Sequence, residues 1–410
     1  MRFKIFYCIY FIVCLFYANL MVFGLLSVRH FLAVVMLVIC ISEGAKVDKF
    51  LKWYFVFLLF CLISALSTGF VGHFLSKLLG TYLVAIVLYM ATKIMILKYH
   101  AQKWVLNVVL VVACINSIFA IAQFYNLPFA SSIRNLLGIQ LEEGMNEYYE
   151  SFEDFRGRYV GGLLGVVYSG YFLSAACVLS LCASNDKTKI LSFVIFLLNF
   201  YALYLVQQRS GFFVGLMCIA FYVIITMNRS RREKYFYITL LLLAFLSMEF
   251  LGNQVFSFEE MRYSTIGLED NYRRGFSKKG WEFFLANPLG GIYAFRAAGN
   301  IDPHNLFVNA LLYGGLFGGV LILVYIVYQL VLVSKIMIDT YRSKKYSSLL
   351  LAFSLAYLCY TINSLFHNMS LLYGDVMYFL LWGGIVSLLE VENRKSNQSM
   401  CNMQDSTIRK

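Results

Sequence analysis

Four arginines and one histidine–asparagine pair are the residues of this sequence best suited to chemistry on an anion. The arginines are Arg158, Arg209, Arg273 and Arg274, and the pair is His304–Asn305. A guanidinium group donates two parallel N–H bonds to phosphate oxygens, so arginines favour a phosphorylated ligand. A neutral imidazole accepts a proton near neutral pH. Together these residue types offer an anion site next to a proton acceptor.

His304 and Asn305 follow Asp302–Pro303 and precede a long apolar run. Aspartate is a favoured N-cap and proline a favoured first helical residue, which predicts a helix that begins at Pro303. The unpaired backbone N–H groups of a first turn attract anions, and their partial positive charge keeps an imidazole neutral. We therefore expect His304 to accept a proton and Asn305 to orient the ligand. The structural alternative is a hydrogen bond from His304 to an outer loop.

The elements that position these residues are membrane-spanning helices. The chain is 60% hydrophobic and 14% charged, whereas soluble domains carry about 25% charged residues. Apolar runs recur along the chain, each long enough to cross ~30 Å of hydrocarbon, which takes roughly 17–25 residues. A membrane β-barrel would instead show alternating segments of ~10 residues. The predicted fold class is an all-α polytopic membrane protein.

Residues 1–391 are predicted to form a single polytopic membrane domain with about twelve spans. We predict the spans at 5–19, 20–41, 53–69, 74–97, 104–125, 159–182, 188–206, 211–228, 235–251, 304–333, 347–367 and 371–391. The alternative for residues 3–41 is one long span and one short span.

Positive charge alternates between the two sides of these spans. Lysines and arginines gather in one set of loops and in the tail 392–410, which the positive-inside rule places in the cytoplasm with both termini. This accounts for the net charge of +12 without nucleic acid as a partner. Two longer segments, 126–158 and 252–303, then lie on the outer, periplasmic side.

The outer segment 252–303 contains the stretch EDNYRRGFSKKGWEFFLANPLGGI. Its mixed aromatic and basic residues predict an amphipathic helix on the membrane surface. That helix is either a simple membrane anchor or a cationic platform for a lipid-linked anion. The segment 126–158 is acidic but has no Asp-x-Asp pair, so neither a metal nor another cofactor is expected. The ten cysteines contain no CxxC pair and predict no disulfide framework.

Arg209 stands in a short outer loop between two spans. It either reaches the lipid headgroups or faces a polar cavity between helices. The same two alternatives, lipid headgroups or a polar cavity, apply to Arg158 at the end of the first outer segment. His367–Asn368 and His73 are weaker rivals of His304, and Arg29–His30 receives no predicted role.

Three stretches resemble the superfamily of bacterial O-antigen polymerases and ligases. Arg158-Tyr159-Val160-Gly161 resembles its R-x-x-G, and Gln208-Arg209-Ser210-Gly211 resembles its arginine–serine motif. The third stretch, about 50 residues long, is the most specific and resembles the block R…PLxG…HNxxL…GxxG: it comprises Arg273, Pro288-Leu289-Gly290, Pro303-His304-Asn305-Leu306-Phe307 and Gly315-Leu316-Phe317-Gly318. Val167–Tyr168 depart from the pattern, since many relatives carry Pro-Asn there.

The resemblance implies a lipid-linked-sugar glycosyltransferase of the GT-C type at the outer face of the bacterial inner membrane. Its substrate would be an oligosaccharide carried on undecaprenyl diphosphate. A polymerase joins such repeat units, and a ligase moves the polymer to lipid A core. Both release undecaprenyl diphosphate without a nucleotide sugar or a metal. Membrane lipid, a chain-length regulator and a flippase are the further partners expected.

Two other classes of protein compete with an enzyme. A flippase or other transporter would carry ionisable residues at mid-membrane, and often paired halves with broken helices. A scaffolding protein would need neither Arg209 nor His304 at a cavity. Within the enzyme class, the sequence separates polymerase from ligase poorly.

Overall fold

The fold is a bundle of helices. The computed structural model describes residues 2–16, 21–22, 26–125, 127–136, 161–164, 166–182, 189–206, 208–226, 268–303, 305–365 and 371–408. Arg158, His304 and the predicted span 235–251 lie outside these residues, as does most of the segment 126–158.

The helices, numbered along the chain, are α1 Arg2–Phe16, α2 Val28–Ser42, α3 Lys49–Ser67, α4 Val71–Lys77, α5 Leu83–Leu97, α6 Gln102–Phe124, α7 Pro128–Leu136, α8 Val166–Cys182, α9 Lys189–Val206, α10 Arg209–Thr226, α11 Leu268–Ala286, α12 Ile292–Ala297, α13 Leu306–Ser343, α14 Ser348–Ser364 and α15 Val376–Ile408. A π-helical turn, Leu78–Tyr82, joins α4 to α5, and a 3₁₀ turn, Leu371–Tyr373, precedes α15. The strands β1 Met21–Val22 and β2 Leu26–Ser27 form one short antiparallel pair.

Five of the described helical segments are long and apolar enough to cross a membrane. They are Lys49–Ser67, Val71–Leu97, Gln102–Phe124, Leu306–Ser343 and Val376–Lys395. Five more apolar helices are shorter. The described part of the chain is thus a helical polytopic membrane protein. The count of twelve spans and the GT-C type of fold stay predictions.

The centre of the bundle is formed by α5, α8, α14 and α15. Helix α5 packs along α15, α8 packs against α9, α10 and α14, and α3 packs along α13. We call the bundle end with the turns at 42–49, 97–102 and 343–348 the basic face. The other end, with the turn at 67–71 and the 3₁₀ turn Leu371–Tyr373, is called the opposite face.

The predicted span 20–41 is wrong in its first third. The strand pair occupies that stretch, and α2 has only 15 residues, about 22 Å at 1.5 Å per residue. Ser27 caps α2 by accepting from His30 N, and Arg29 in the first turn donates to Gly80 O at 2.6 Å. The polar residues Ser27, Arg29 and His30 therefore stand at a helix end and not within a span.

Three further boundaries differ from prediction. Helix α13 continues to Ser343, ten residues beyond the predicted 333, because Ile336 and Thr340 remain buried on its packed side. Residues 392–408, predicted as part of a cytoplasmic tail, continue helix α15. The span predicted at 371–391 begins only at Val376, after the 3₁₀ turn.

Candidate functional site

Asn305 caps the long helix α13. Its side-chain Oδ1 accepts hydrogen bonds from Phe307 N at 2.9 Å and Val308 N at 3.2 Å, and the helix begins at Leu306. The predicted capping by Asp302, with Pro303 as the first helical residue, is therefore wrong. The Asn305 side chain accepts hydrogen bonds from backbone N–H groups of the first turn, which were expected to bind a ligand. Asp302 is free to bind another side chain.

Helix α13 is broken at Gly315. Gly315 has φ +64° and ψ −169°, a backbone conformation that favours glycine. The loop that follows α11 fills the break, because Leu316 N donates to Pro288 O at 2.9 Å and Gly291 N donates to Leu312 O at 2.8 Å. A Cβ on Gly315 would lie 2.6 Å from Leu289 O. The Pro-Leu-Gly and Gly-Leu-Phe-Gly motifs of the sequence therefore meet here.

The glycines around this break also bring helices close together. A Cβ on Gly314 would lie 3.1 Å from the Phe57 ring, and one on Gly318 would lie 2.5 Å from Phe60 Cβ. Small residues let helix backbones approach in a membrane. The short helical half of α13, Leu306–Gly314, is thus held between α3 and the loop 288–291.

Arg296, on the short helix α12, forms an ion pair with Asp302. Arg296 Nε donates to Asp302 Oδ1 at 2.6 Å and its Nη2 donates to Oδ2, so the pair is bidentate. Tyr373 donates to the same Oδ2 at 3.2 Å. The Asp302 side chain is 10% exposed and that of Arg296 is 37% exposed. The carboxylate is buried, and the guanidinium group reaches the boundary of the bundle.

Lys77 joins this pair from helix α4. Its Nζ donates to the Tyr313 hydroxyl at 2.6 Å, and Arg296 Nη2 donates to the same oxygen at 2.8 Å. The ammonium group lies 4.5 Å from the centre of the Tyr313 ring and 4.7 Å from that of Tyr373, within the ~6 Å range of cation–π attraction. One tyrosine thus bridges two cations.

The π-helical turn that follows Lys77 fixes its position. Tyr82, at the end of this turn, donates to Leu372 O at 2.8 Å, and Gly80 O accepts from Arg29. Turns of this kind are rare inside α-helices and are frequent at functional sites. This one attaches α4 both to α2 and to the 3₁₀ turn that carries Tyr373.

The set Lys77, Arg296, Asp302, Tyr313 and Tyr373 is called the cation cluster from here on. It contains two cations and one carboxylate. Burial acts to lower the pKa of Arg296, but the hydrogen bonds to Asp302 outweigh this, and its pKa lies above the ordinary value. Arg296 therefore stays charged. With Lys77 protonated, the cluster has one positive charge in excess, which favours an anion.

The cation cluster adjoins the predicted site residues along the chain. Asp302 lies two residues before His304 and three before Asn305. Helix α11 packs on the same segment, since a Cβ on Gly280 would lie 2.5 Å from Pro303. Arg273 lies on α11, with its side chain outside the described part, and Arg274 is exposed.

Arg209 is the first residue of α10, and its side chain lies outside the described part. Its neighbour Gln208 is buried and accepts from Gly211 N at 2.5 Å through Oε1. The Gln-Arg-Ser-Gly stretch thus forms a tight helix start.

Sequence reasoning missed Lys77 as a site residue and did not single out Arg296. Lys77 falls near the start of the predicted span 74–97. Arg296 stands alone in a run of small and apolar residues between the Pro-Leu-Gly and Asp-Pro-His-Asn motifs. A charge isolated between two such motifs was the available signal.

Among the described residues, no group of three or more His, Cys, Asp and Glu side chains could hold a metal ion. In comparisons with known proteins, no family model, no curated protein and no solved structure matches the chain.

Proposed function

We propose that this chain is a membrane-embedded, inverting glycosyltransferase that joins undecaprenyl-diphosphate-linked oligosaccharide repeat units, an O-antigen polymerase. The reaction would take place at the periplasmic face of the bacterial inner membrane and release undecaprenyl diphosphate. The twelve-span topology, the cytoplasmic termini and the GT-C type of fold belong to this proposal. A chain-length regulator and a flippase are its proposed partners.

The observation that carries the proposal is the excess positive charge of the cation cluster beside the His304–Asn305 segment. A diphosphate leaves a sugar readily only if its developing charge is stabilised, and pre-placed cations supply that stabilisation. Lys77 and Arg296 are held by Tyr313 before any ligand arrives, so they need little reorganisation when the ligand binds. Arg158, Arg209, Arg273 and Arg274 are proposed to contact the same diphosphate.

The proposed step is a single displacement. A hydroxyl oxygen of the acceptor sugar bonds to the anomeric carbon of the donor chain. The bond from that carbon to the diphosphate oxygen breaks, and its electron pair leaves with the diphosphate. His304 takes the proton of the attacking hydroxyl as a general base. The anomeric configuration inverts because one displacement occurs, and neither a metal nor a cofactor takes part.

An O-antigen ligase or another surface-polysaccharide polymerase of the same superfamily is the nearest alternative. A lipid-linked-oligosaccharide flippase is the alternative of a different class. The broken helix at Gly315 favours it, because discontinuous helices form the substrate sites of many transporters. The cation cluster lies toward one end of the bundle, beside the turn that precedes α15, which favours an enzyme acting at a membrane face.

Deletion of the gene tests the proposal. Lipopolysaccharide from the deletion strain, run on a gel, is expected to show core with a single repeat unit and no ladder. Lipid-linked polymer that accumulates without attachment to core would indicate a ligase. Loss of every repeat unit from the outer face would indicate a flippase. An unchanged ladder would overturn the proposal.

A further inference from the structure

Three buried polar side chains lie where α14 ends and α15 begins, on the opposite face. They are Tyr360, Asn363 and Asp375, with exposures of 1%, 0% and 5%. Tyr360 and Asn363 stand three residues apart and therefore share one side of α14. Asp375 directly precedes α15, and the two helices pack together. The three side chains thus lie at the same level of the bundle.

Four polar atoms of these side chains have no hydrogen-bond partner among the residues that the structure describes. They are Tyr360 Oη, Asn363 Oδ1, Asn363 Nδ2 and Asp375 Oδ2. Burial of a polar atom without a partner is costly, and each such atom in a native protein calls for an explanation. Tyr357, one turn earlier on α14, differs because its hydroxyl bonds to both Gln329 and Tyr378.

The Asp375 carboxylate is fixed on one side only. Its Oδ1 accepts from Tyr378 N at 3.0 Å and from the Tyr168 hydroxyl at 3.2 Å. These donors hold the group in place and leave Oδ2 as an oriented acceptor. Asp375 and Tyr168 both interact electrostatically with Tyr360. The unpaired atoms of Tyr360 and Asp375 therefore belong to one neighbourhood.

This neighbourhood is continuous with the cation cluster through the turn before α15. Tyr373, two residues before Asp375, donates to Asp302. Gly374 between them has φ +67°, and a Cβ there would lie 2.9 Å from the Tyr82 ring. The turn is packed against the α4–α5 junction, so the charged cluster and the unpaired polar atoms keep a fixed relation.

We infer that Tyr360, Asn363 and Asp375 form a binding site for the hydroxyl groups of a carbohydrate. The inference rests on the proposed function and assigns this site to the acceptor sugar. A sugar hydroxyl both donates and accepts, and the unpaired atoms comprise acceptors, an amide donor and a hydroxyl that does either. A site built to hydrogen-bond a ligand hydroxyl leaves its own buried groups unpaired when that ligand is absent.

The experiment uses the full-length protein in lipid nanodiscs. The probe is the free repeat-unit oligosaccharide, released by mild acid from the lipid-linked unit of the gene-deletion strain. It carries no diphosphate, so it reports the hydroxyl site separately from the cation cluster. Titration calorimetry measures the Kd for the unaltered protein and for Tyr360→Phe and Asn363→Leu.

Both variants are expected to raise the Kd at least tenfold, while the thermal unfolding midpoint stays equal or rises. The midpoint does not fall because each change removes unpaired buried atoms. Tyr357→Phe is the matched control on the same helix. It loses paired hydrogen bonds, so it should lower the midpoint and leave the Kd within twofold.

An unchanged Kd in Tyr360→Phe and Asn363→Leu overturns the inference, as does the absence of saturable binding to the unaltered protein. If one variant fails to insert, the other decides. Suppose that both variants weaken saturable binding, but deletion of the gene leaves the lipopolysaccharide ladder intact. The carbohydrate site is then supported and the proposed function is overturned. If both variants give a normal ladder and an unchanged Kd, the carbohydrate site is overturned and the proposed polymerase function stands.

Discussion

Two charged clusters at opposite ends of the bundle differ in how their charges balance. At the basic face, Asp48 accepts from Lys93, from the Tyr89 hydroxyl at 2.5 Å and from Leu51 N at 3.0 Å. That cluster, the Asp48 cluster, has one carboxylate and one ammonium group. The cation cluster has two cations for one carboxylate.

The difference indicates different roles. The Asp48 cluster caps α3 and ties it to α5, and its charges neutralise each other, which is what a structural tie requires. The cation cluster also ties elements together, but its excess charge costs free energy unless an anion is bound. Balanced charge therefore indicates structure here, and unbalanced charge indicates a ligand.

The largest effect is expected at His304, two residues after Asp302 of the cation cluster in the sequence. His304→Ala removes the proposed base and should lower polymer formation by about 10²–10⁴-fold, the usual range for general-base catalysis. Polymer is measured on lipopolysaccharide gels, with membrane insertion checked by immunoblot. His73→Ala and His367→Ala serve as controls. Full activity in His304→Ala, or a loss confined to His367→Ala, would remove His304 from the mechanism. Asn305→Ala should be milder.

The cations of the two clusters should respond differently to neutralisation. Lys77→Met and Arg296→Gln each remove one charge that would stabilise the leaving diphosphate, worth ~2–4 kcal/mol on the scale of an oxyanion-hole donor. Polymer formation should fall by about 100-fold in each. The matched control is Lys93→Met in the Asp48 cluster, which should leave polymer formation near normal at equal protein level. An equal loss of polymer formation in all three variants would contradict the proposed difference between the cation cluster and the Asp48 cluster.

The break at Gly315 should be more sensitive than a left-handed glycine in open space. Gly315→Ala adds a methyl group in strained backbone and also places it against Leu289 O. Strain of this kind costs about 1–3 kcal/mol before any clash. Gly299→Ala is the control, since Gly299 has φ +77° with nothing within 4 Å of the added Cβ. Thermal melts of purified protein should show a clear loss for Gly315→Ala and a small one for Gly299→Ala. Equal midpoints would mean that the loop 288–291 does not depend on this contact.

The smallest effect is expected from Lys93→Met on stability. It leaves Asp48 with the Tyr89 and Leu51 bonds but without its counter-ion. The side chains are 17% and 22% exposed, so the cost should be about 1–2 kcal/mol, below that of breaking a fully buried pair. A lower thermal midpoint in the same melting assay checks this, and added salt should reduce the difference from the unaltered protein. An unchanged midpoint would show that the Asp48 cluster contributes nothing to folding.

The predicted spans and the observed helices agree where apolar runs are long. The helices Lys49–Ser67, Gln102–Phe124 and Leu306–Ser343 overlap the predicted spans, because each depends on a local run of apolar residues. The span 20–41 failed because a run of mixed residues does not reveal where a strand pair interrupts it. Ser27 and Arg29 find their partners in His30 and in Gly80, and only the second partner is distant in sequence.

The sequence by itself determined that this chain is helical, that it is rich in apolar spans, and that glycine motifs lie near Asn305. These properties follow from hydrophobicity and capping, which act over a few residues. Only the tertiary structure decided which charges meet. Lys77 reaches Tyr313 across 236 residues, and Arg296 reaches the same hydroxyl from a separate helix. Contacts between residues so distant in sequence depend on helix packing. Packing depends on the shapes of many side chains at once, so no local sequence pattern predicts it.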